Sequence, residues 1–297
     1  MPLTAPDLRR TWLFGPGVGD AVHAAMAACG ADLLILDLED FTPEPLRPQA
    51  RQGLAGVLAR WSAAGAVTCV RINALDGADG AQDLAAAMAA GAQVVALPMA
   101  DDPAQMQALD RALGEHERAW QRPAGATEIL PVCETARGVV RVRELAAASA
   151  RVRAALLGTE DLAADLGAER GPDGVELEHA RRRFLLDCRA AAIEPVDAPY
   201  TYGDADGAAR EAAHARRLGY RAKALVRPEH AAPINAALTP SPEACAHATA
   251  VVRAFEAARA AGQERALVDG LWVEVPTYRS AQRLLQRAAR LRAARGG

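Results

Sequence analysis

The feature that most constrains the fold is an alternation of short apolar runs with longer, Ala-rich stretches of helical periodicity. Each apolar run up to Val226 is followed by a helical pattern, and this alternation indicates a parallel sheet whose crossover connections are helices. The predicted strands are Trp12–Phe14, Leu33–Leu38, Val67–Ile72, Val94–Pro98, Glu128–Cys133, Ala154–Leu157, Glu194–Asp197 and Tyr220–Val226.

Eight such repeats favour closure of the sheet into a (β/α)8 barrel, with an open doubly wound sheet as the alternative. Polar residues follow the strands in the segments GPG, DLED, RIN, LPM, CET, GTED and DAPY. Barrel enzymes place their active sites at the carboxyl ends of their strands, so we expect the functional residues at these segments.

The pattern changes after a Pro-rich break at residues 238–242. Helices are predicted over Ala244–Ala261 and Ser280–Ala294, with an irregular segment over Gly262–Pro276 between them. We therefore predict a catalytic barrel over residues 1–237 and a C-terminal helical extension over residues 238–297. A closed barrel does not need this extension, so we expect it to act as a lid or as an arm in an oligomer.

Composition excludes several classes of protein. The formal net charge of -3 gives no basic excess, and we expect neither a nucleic-acid partner nor a membrane surface. No apolar run approaches the roughly 20 residues of a membrane span, and no signal peptide is visible. The five cysteines are odd in number, scattered and without a CxxC pair. This pattern argues against a disulfide framework and a zinc site, and it favours a reducing cytoplasm.

Two carboxylates follow consecutive predicted strands: Glu134 after Ile129–Cys133, and Asp161 after Ala155–Leu157. Neighbouring strands lie about 5 Å apart, and two carboxylates that close repel unless a proton or a cation lies between them. Mg²⁺ with two carboxylates and substrate oxygens would relieve the repulsion. The alternative is that one acid caps a helix and the other pairs with an arginine.

Three further acids, Asp37, Glu39 and Asp40, end the second strand, and Arg71 lies inside the third. Strand alternation places Asp37 and Glu39 on one face and Asp40 on the other. The acids are candidates for holding metal-bound water or orienting an arginine, and the alternative is helix capping. Arg71 is a candidate for binding a substrate carboxylate or an enolate oxygen, and the alternative is a salt bridge to Glu39 or Asp37.

Two other features carry weaker signals. Glycines in the segment Phe14–Gly17 would let a ligand approach the backbone of the first strand, although a plain turn has the same composition. Lys223 is the only lysine and therefore the only candidate for a Schiff base, but a structural or ligand-binding cation is the favoured interpretation. The chain has no GxSxG elbow, no HExxH pair and no GxGxxG after a strand.

Taken in order, the segments RTWLFGPG, LILDLED, VRIN, LPVCETARGV, LLGTEDLAADLG and VDGLWVEVP resemble the HpcH/HpaI aldolase and citrate lyase family. The resemblance covers nearly the whole chain and is strongest to the branch typified by the citrate lyase beta subunit. It implies a TIM barrel that binds Mg²⁺ through Glu134 and Asp161. It also implies that Arg71 binds the keto acid and that the acids of LDLED support the water shell of the metal.

The resemblance further implies a set of substrate-binding residues at the strand ends. These are Phe14, Gly15, Pro16, Gly17, Asp37, Gly158, Thr159, Glu160 and Arg71. The catalytic candidates are Arg71, Glu39, Asp40 and Glu274.

Three positions depart from the family pattern. Glu274 stands where an Asp that acts as acid/base in several relatives is expected. Met99 replaces a Lys after the fourth strand, and Arg227 replaces a His before Pro228. Met99 and Arg227 lie near where a CoA thioester would be held, so we expect these two changes to alter thioester recognition.

The function predicted from the resemblance is a Mg²⁺-dependent carbon–carbon lyase. It would cleave or form a citryl-, malyl- or citramalyl-type thioester to give an acyl thioester and oxaloacetate, glyoxylate or pyruvate. The alternatives are a metal-dependent aldolase acting on a free hydroxy acid, and a barrel that binds a metabolite without catalysis. The expected partners are the keto acid and a CoA thioester, in a homotrimer or homohexamer.

Overall fold

The computed structural model describes residues 5–295. Eight parallel strands form a closed barrel in sequence order, and the circle closes where Thr11–Leu13 of the first strand pair with Lys223–Leu225 of the last. The barrel expected from the sequence is thus confirmed. The strands are β1 Thr11–Pro16, β2 Leu33–Asp37, β3 Val67–Arg71, β4 Val94–Leu97, β5 Glu128–Cys133, β6 Ala154–Leu157, β7 Glu194–Tyr200 and β8 Ala222–Leu225.

Helices connect the strands of the barrel, and further helices follow its last strand along the chain. They are α1 Asp20–Ala28, α2 Arg47–Ala63, α3 Gly80–Ala90, α4 Pro103–Ala119, α5 Ala136–Ala147, α6 Glu160–Leu166, α7 Glu178–Ala190, α8 Ala205–Leu218, α9 Ala231–Leu238, α10 Pro242–Ala260 and α11 Val275–Arg295. Among the described residues, no helix is both long and apolar enough to cross a membrane.

Strict alternation along the strands builds the interior of the barrel. On each strand every second side chain joins one buried apolar cluster, as Trp12 and Phe14 do on β1 and Leu130 and Val132 do on β5. The side chains between them face the surrounding helices, because successive strand residues point to opposite faces. This period-two rule decides which residues at the carboxyl end of each strand point into the barrel.

The amino end of the barrel is closed by buried ion pairs. Arg9 is fully buried and donates two hydrogen bonds to Glu128, at 2.7 and 2.9 Å. Arg153 adds a third contact to the same carboxylate at 3.0 Å. Each carboxylate oxygen thus has a cationic donor, which offsets the cost of burying the charge.

The chain divides into two compact units, the first ending at Ala236 and the second beginning at Ala237. In the second unit, an apolar cluster that includes Val251 and Phe255 holds α10 and α11 together. The segment expected to be irregular contains an antiparallel hairpin, β9 Ala266–Val268 and β10 Leu271–Val273. Asp269 and Gly270 form its turn with φ of 50° and 77°, as a two-residue hairpin turn requires.

Candidate active site

A cavity of about 370 Å³ opens at the carboxyl ends of the barrel strands. Its apolar wall comes mainly from strand side chains that point into the barrel, and its polar wall comes from the loops. The lining residues are Phe14, Asp40, Phe41, Arg71, Val132, Glu134, Leu156, Gly158, Thr159, Glu160, Asp161, Pro199, Thr201 and Val226. Both predicted metal ligands and the predicted Arg71 therefore line a single cavity.

Glu134 directly follows β5 and continues its inward alternation after Leu130 and Val132. The side chain is 4% exposed, and its Oε1 accepts a hydrogen bond of 2.7 Å from the backbone N–H of Met99. Gly158 makes room for it, because a Cβ at that position would lie 2.6 Å from Oε2 of Glu134. The strand end and the glycine together fix where this carboxylate stands.

The pKa of Glu134 is raised to about 7, mainly by burial and to a smaller extent by the carboxylates of Asp161 and Asp40. The hydrogen bond from Met99 and the charge of Arg71 act in the opposite direction. No arginine or lysine among residues 5–295 forms a salt bridge with Glu134. Its negative charge is therefore poorly compensated by the protein itself.

Asp161 lies in the first turn of α6 and is exposed to the cavity and solvent. The preceding Glu160 pairs with Arg170 at 3.3 Å. The hydroxyl of Thr159 is buried and has no hydrogen-bond partner among the described residues. Because an unpartnered buried hydroxyl is costly, a ligand oxygen in the cavity would stabilise it.

The donor chemistry of this cavity fits a hard divalent cation. Glu134 and Asp161 offer only oxygens, and the charge of Asp161 acts unfavourably on the buried Glu134. A divalent cation between them would offset both carboxylates. Among residues 5–295, no group of three or more His, Cys, Asp and Glu side chains is arranged to hold a metal. Mg²⁺ suits such a site, since it often binds one or two carboxylates and keeps its other positions for water and substrate oxygens.

Arg71 ends β3 and is 5% exposed. Its guanidinium makes a bidentate contact with Asp37, in which Nε donates to Oδ1 at 2.9 Å and Nη2 donates to Oδ2. Glu39 lies 2.8 Å from Nη1 and Asp40 lies 3.5 Å from Nη2. The salt bridge considered as an alternative is thus present, yet Arg71 also lines the cavity. These two interpretations are compatible.

The contact with Asp40 corrects the alternation expected from the sequence. Beyond Asp37 the chain leaves the strand, so the period-two rule no longer applies to Glu39 and Asp40. Both acids reach the same guanidinium instead of pointing to opposite faces. Three carboxylates therefore share Arg71.

Crowding of these acids affects how they bind protons. Burial raises the pKa of Glu39 to about 7, and the neighbouring Asp40 and Asp37 add to the rise while Arg71 opposes it. Burial alone would lower the pKa of Arg71, but the Asp37 carboxylate raises it above its ordinary value. Arg71 thus stays charged, and Glu39 is poised to exchange a proton near neutral pH.

Two aromatic rings frame the guanidinium of Arg71. Its Cζ lies 5.2 Å from the ring centroid of Phe14 and 5.9 Å from that of Phe41. Phe14 was predicted, but Phe41 was not, because it lies in a loop where no periodicity assigns a direction. Pro199 and Thr201, at the end of β7, were missed as well.

Gly15, inside β1, and Gly17, just after it, have a packing role. A Cβ on Gly15 would overlap the sulfur of Met26 on α1, and a Cβ on Gly17 would lie 2.7 Å from Cβ of Ala50 on α2. The carbonyl of Pro16 contacts a ring nitrogen of His23 at 2.7 Å. Gly15, Pro16 and Gly17 do not line the cavity, so no contact in the structure supports their predicted role in substrate binding.

Glu274 precedes α11 in the C-terminal unit and is exposed. Its assignment as an acid/base group stays a prediction. The other two departures from the family pattern are also exposed: Met99 to 46%, and Arg227, whose NH1 lies 3.4 Å from Glu229. Met99 adopts a φ of 49°, which directs its N–H toward Glu134.

A family model described as HpcH/HpaI aldolase/citrate lyase matches residues 10–228. The citrate lyase subunit beta of Escherichia coli K12 is 34% identical over 281 residues, covering 94% of this chain and 93% of that protein. An L-malyl-CoA/beta-methylmalyl-CoA lyase of Rhodobacter capsulatus is 30% identical, covering 97% of this chain and 96% of that protein.

Solved structures agree with these relatives. The protein CitE from Mycobacterium tuberculosis, in complex with magnesium, acetoacetate and coenzyme A, is 31% identical with a TM-score of 0.76. The match covers 94% of this chain and 98% of the M. tuberculosis chain. A citrate lyase beta subunit from M. tuberculosis with oxaloacetate and magnesium is 32% identical with a TM-score of 0.65, covering 79% of this chain and all of that chain.

Proposed function

The chain belongs to the HpcH/HpaI aldolase/citrate lyase family and is a carbon–carbon lyase, and from this premise we propose that it is a Mg²⁺-dependent lyase of 3-hydroxyacyl-CoA thioesters. The proposed products are an acyl-CoA and a 2-keto acid such as oxaloacetate, glyoxylate or pyruvate. The observation that carries the proposal is the pair Glu134 and Asp161 in one cavity with Arg71.

Glu134 and Asp161 would hold the Mg²⁺. When bound, the metal supplies Lewis-acid polarisation of the oxygens of the 2-hydroxy or 2-keto acid. Arg71 faces the same cavity with its charge secured by Asp37, and it would bind the carboxylate or offset negative charge that develops on the substrate. Thr159, with its unpartnered hydroxyl, would bind a further substrate oxygen.

Cleavage needs a base for the hydroxyl proton and an acid for the enolate. The O–H bond breaks, a carbonyl forms, and the electrons of the C–C bond pass to the thioester as an enolate. Glu39, whose pKa is raised to about 7, would accept the proton at neutral pH through Asp40, which lines the cavity. Glu274 of this chain or of a neighbouring copy is our candidate for protonating the enolate carbon.

The relatives support CoA as the carrier. The R. capsulatus relative is a lyase of malyl-CoA and beta-methylmalyl-CoA, and the M. tuberculosis CitE structure contains coenzyme A. The proposal keeps the C-terminal extension as the predicted lid or oligomer arm. A homotrimer or homohexamer is part of this proposal.

A second candidate is a metal-dependent aldolase that acts on a free hydroxy acid. Met99 and Arg227 favour it, because both replace residues of the family pattern near the expected position of CoA. The metal and keto-acid chemistry would be the same in the two candidates. They differ only in whether a thioester is required.

Titration calorimetry with oxaloacetate, pyruvate and glyoxylate tests the proposal, with and without Mg²⁺ and then with acetyl-CoA added. We expect at least one keto acid to bind only with Mg²⁺, and Glu134→Gln to abolish that binding. A further response to acetyl-CoA supports the thioester lyase, and its absence supports the free-acid aldolase. If no keto acid binds with or without metal, the lyase assignment of this cavity is wrong.

A further inference from the structure

Strand β7 is irregular where it enters the active site. Its pairing with β8 aligns Asp197 with Lys223 and then Tyr200 with Leu225, so the register shifts between these two pairs. Two residues of β7, Ala198 and Pro199, therefore oppose a single residue of β8. Such a bulge disrupts the ladder locally and re-aims the residues that follow.

Lys223 contacts the backbone at this bulge. Its Nζ donates one hydrogen bond to the carbonyl of Ala198 and one to Oδ2 of Asp197, both at 2.7 Å. Its strand neighbours Ala222 and Ala224 belong to the interior cluster, so Lys223 faces outward to the helices. A nucleophilic amine inside the barrel is thereby excluded, and the Schiff-base alternative with it.

Lys223 belongs to a buried group of charges. Asp197 is fully buried and also accepts a bidentate contact from Arg181 of α7, at 3.0 and 2.9 Å. Glu211 of α8 lies 3.2 Å from Arg181 and 3.9 Å from Lys223, and Glu178 lies 3.8 Å from Arg181. Either cation alone therefore leaves Asp197 with one cationic partner. Of the two cations, Lys223 is the one that donates to the carbonyl of Ala198 in the bulge.

The segment held by Lys223 separates two cavities. Thr159, Pro199 and Thr201 line the active-site cavity, and the same three residues line a small cavity of about 30 Å³ on the side of Lys223 and Arg181. They therefore form the wall between the two cavities. The position of this wall depends on the path of the chain through the bulge, which begins at Ala198.

We infer that Lys223 is a positioning residue for the active site: by binding the carbonyl of Ala198 it fixes the β7 bulge and keeps Pro199 and Thr201 in the wall that faces the substrate. Its side chain points away from the barrel interior, and its polar contacts are with Asp197, Ala198 and Glu211 instead of Glu134 or Asp161. The inference rests on the proposed function only in that a keto acid is used to probe the wall.

The test compares Lys223→Met with Arg181→Met in the full-length chain. Both variants remove one buried cation and leave Asp197 with the other, so the change in net charge is the same. Arg181→Met removes more contacts with carboxylates, so a larger effect of Lys223→Met is not explained by lost ion pairs. Displacing the wall misplaces the ligand. A misplacement of about 1 Å can lower the rate of a catalysed reaction up to about 100-fold, so binding should be sensitive to the position of the wall as well. We expect Lys223→Met to raise the Kd of the most tightly bound keto acid at least about tenfold, and Arg181→Met to raise it less than about threefold.

Binding of Mg²⁺ alone should be unchanged in both variants, because Glu134 follows β5 and Asp161 lies in the first turn of α6, outside the β7 bulge. Equal weakening of keto-acid binding in the two variants would show a general effect of the buried charges and would overturn the inference. Absence of binding in the unmodified protein would instead refute the proposed function.

Circular dichroism and thermal unfolding establish that each variant is folded. If Lys223→Met does not fold, Lys223→Gln keeps one donor without the charge and should raise the Kd by a smaller factor. If neither folds, Pro199→Gly loosens the bulge and leaves the ion pairs in place. It should then weaken keto-acid binding as expected for Lys223→Met, and an unchanged Kd would overturn the inference.

Discussion

The two ends of the barrel differ in how their buried carboxylates are paired with cations. At the amino end, Glu128 has cationic donors on both oxygens, from Arg9 and Arg153. At the carboxyl end, Arg71 serves three carboxylates, and Glu134 is equally buried with no salt bridge among the described residues. Both ends use the inward positions of the same strand β5. The first arrangement stabilises the fold, and the second leaves negative charge for a cation to neutralise.

The same substitution at both ends of β5 should have opposite consequences. Glu134→Gln should weaken Mg²⁺-dependent keto-acid binding by more than about 100-fold. Mutating a residue that only hydrogen-bonds to a metal ligand already lowers metal affinity by about 10–100-fold. The free energy of unfolding of Glu134→Gln without metal should be unchanged or higher, because a buried, poorly compensated charge is removed. Glu128→Gln should lower the free energy of unfolding by about 3 kcal/mol and leave binding intact. Urea unfolding and calorimetry measure the two quantities.

A result in which both variants lose stability to the same extent would contradict the contrast. So would loss of keto-acid binding in folded Glu128→Gln protein. Gln is nearly isosteric with Glu, so neither variant creates a cavity.

The pH dependence of stability should sharpen the contrast. Glu39 and Glu134 have a pKa of about 7 in the folded chain against ordinary values of 4.5. Between these values the unfolded chain binds fewer protons than the folded one, so these groups lower the free energy of unfolding as pH rises from 4.5 through 7. Mg²⁺ should therefore stabilise the protein more at pH 8 than at pH 5.5, because it binds the ionised carboxylates.

Thermal unfolding of the unmodified protein and of a Glu39→Gln, Glu134→Gln double variant measures this effect. The metal-free Tm of the unmodified protein should fall by several degrees more between pH 5.5 and 8 than that of the double variant. Parallel curves for the two proteins would show that these carboxyls do not titrate in this window.

The smallest expected effect concerns the backbone at Met99. Its φ of 49° is unfavourable for a side chain, and the exposed Gln121 has a similar φ of 51° away from the cavity. Met99→Gly and Gln121→Gly should each raise the free energy of unfolding by up to about 1 kcal/mol. Only Met99→Gly should weaken Mg²⁺-dependent binding, by about threefold, because a freer chain holds the N–H less firmly toward Glu134. Equal Mg²⁺-dependent binding by the two variants would show that the backbone conformation of Met99 does not contribute to ligand binding.

Much of this arrangement could be predicted from the sequence, because apolar runs define strands and strands define directions. Every predicted strand is present, and Glu134 and Asp161 follow β5 and β6 as predicted. Arg71 was predicted inside the third strand and is its last residue. Alternation also suffices to turn Lys223 away from the interior, since Ala222 and Ala224 flank it.

The parts that could not be predicted lie outside regular structure. Phe41 and Asp40 take their directions from a loop, where period two does not hold. The hydrogen bond from Met99 to Glu134 is donated by the backbone N–H, which every residue except proline has, so the residue type does not predict it. The hairpin of the C-terminal unit was missed, although the pair Asp269 and Gly270 is a turn signal, because its strands are only three residues long.

The burial of the single lysine gives this protein a built-in reporter of unfolding. A protease specific for lysine has one site in the chain, after Lys223, and cleavage there yields fragments of residues 1–223 and 224–297. The site lies within β8 of a closed barrel and is 1% exposed, so cutting requires that the barrel open. The yield of two fragments after a brief digestion therefore measures the open population of the barrel without a label, at any pH or metal concentration that the protease tolerates.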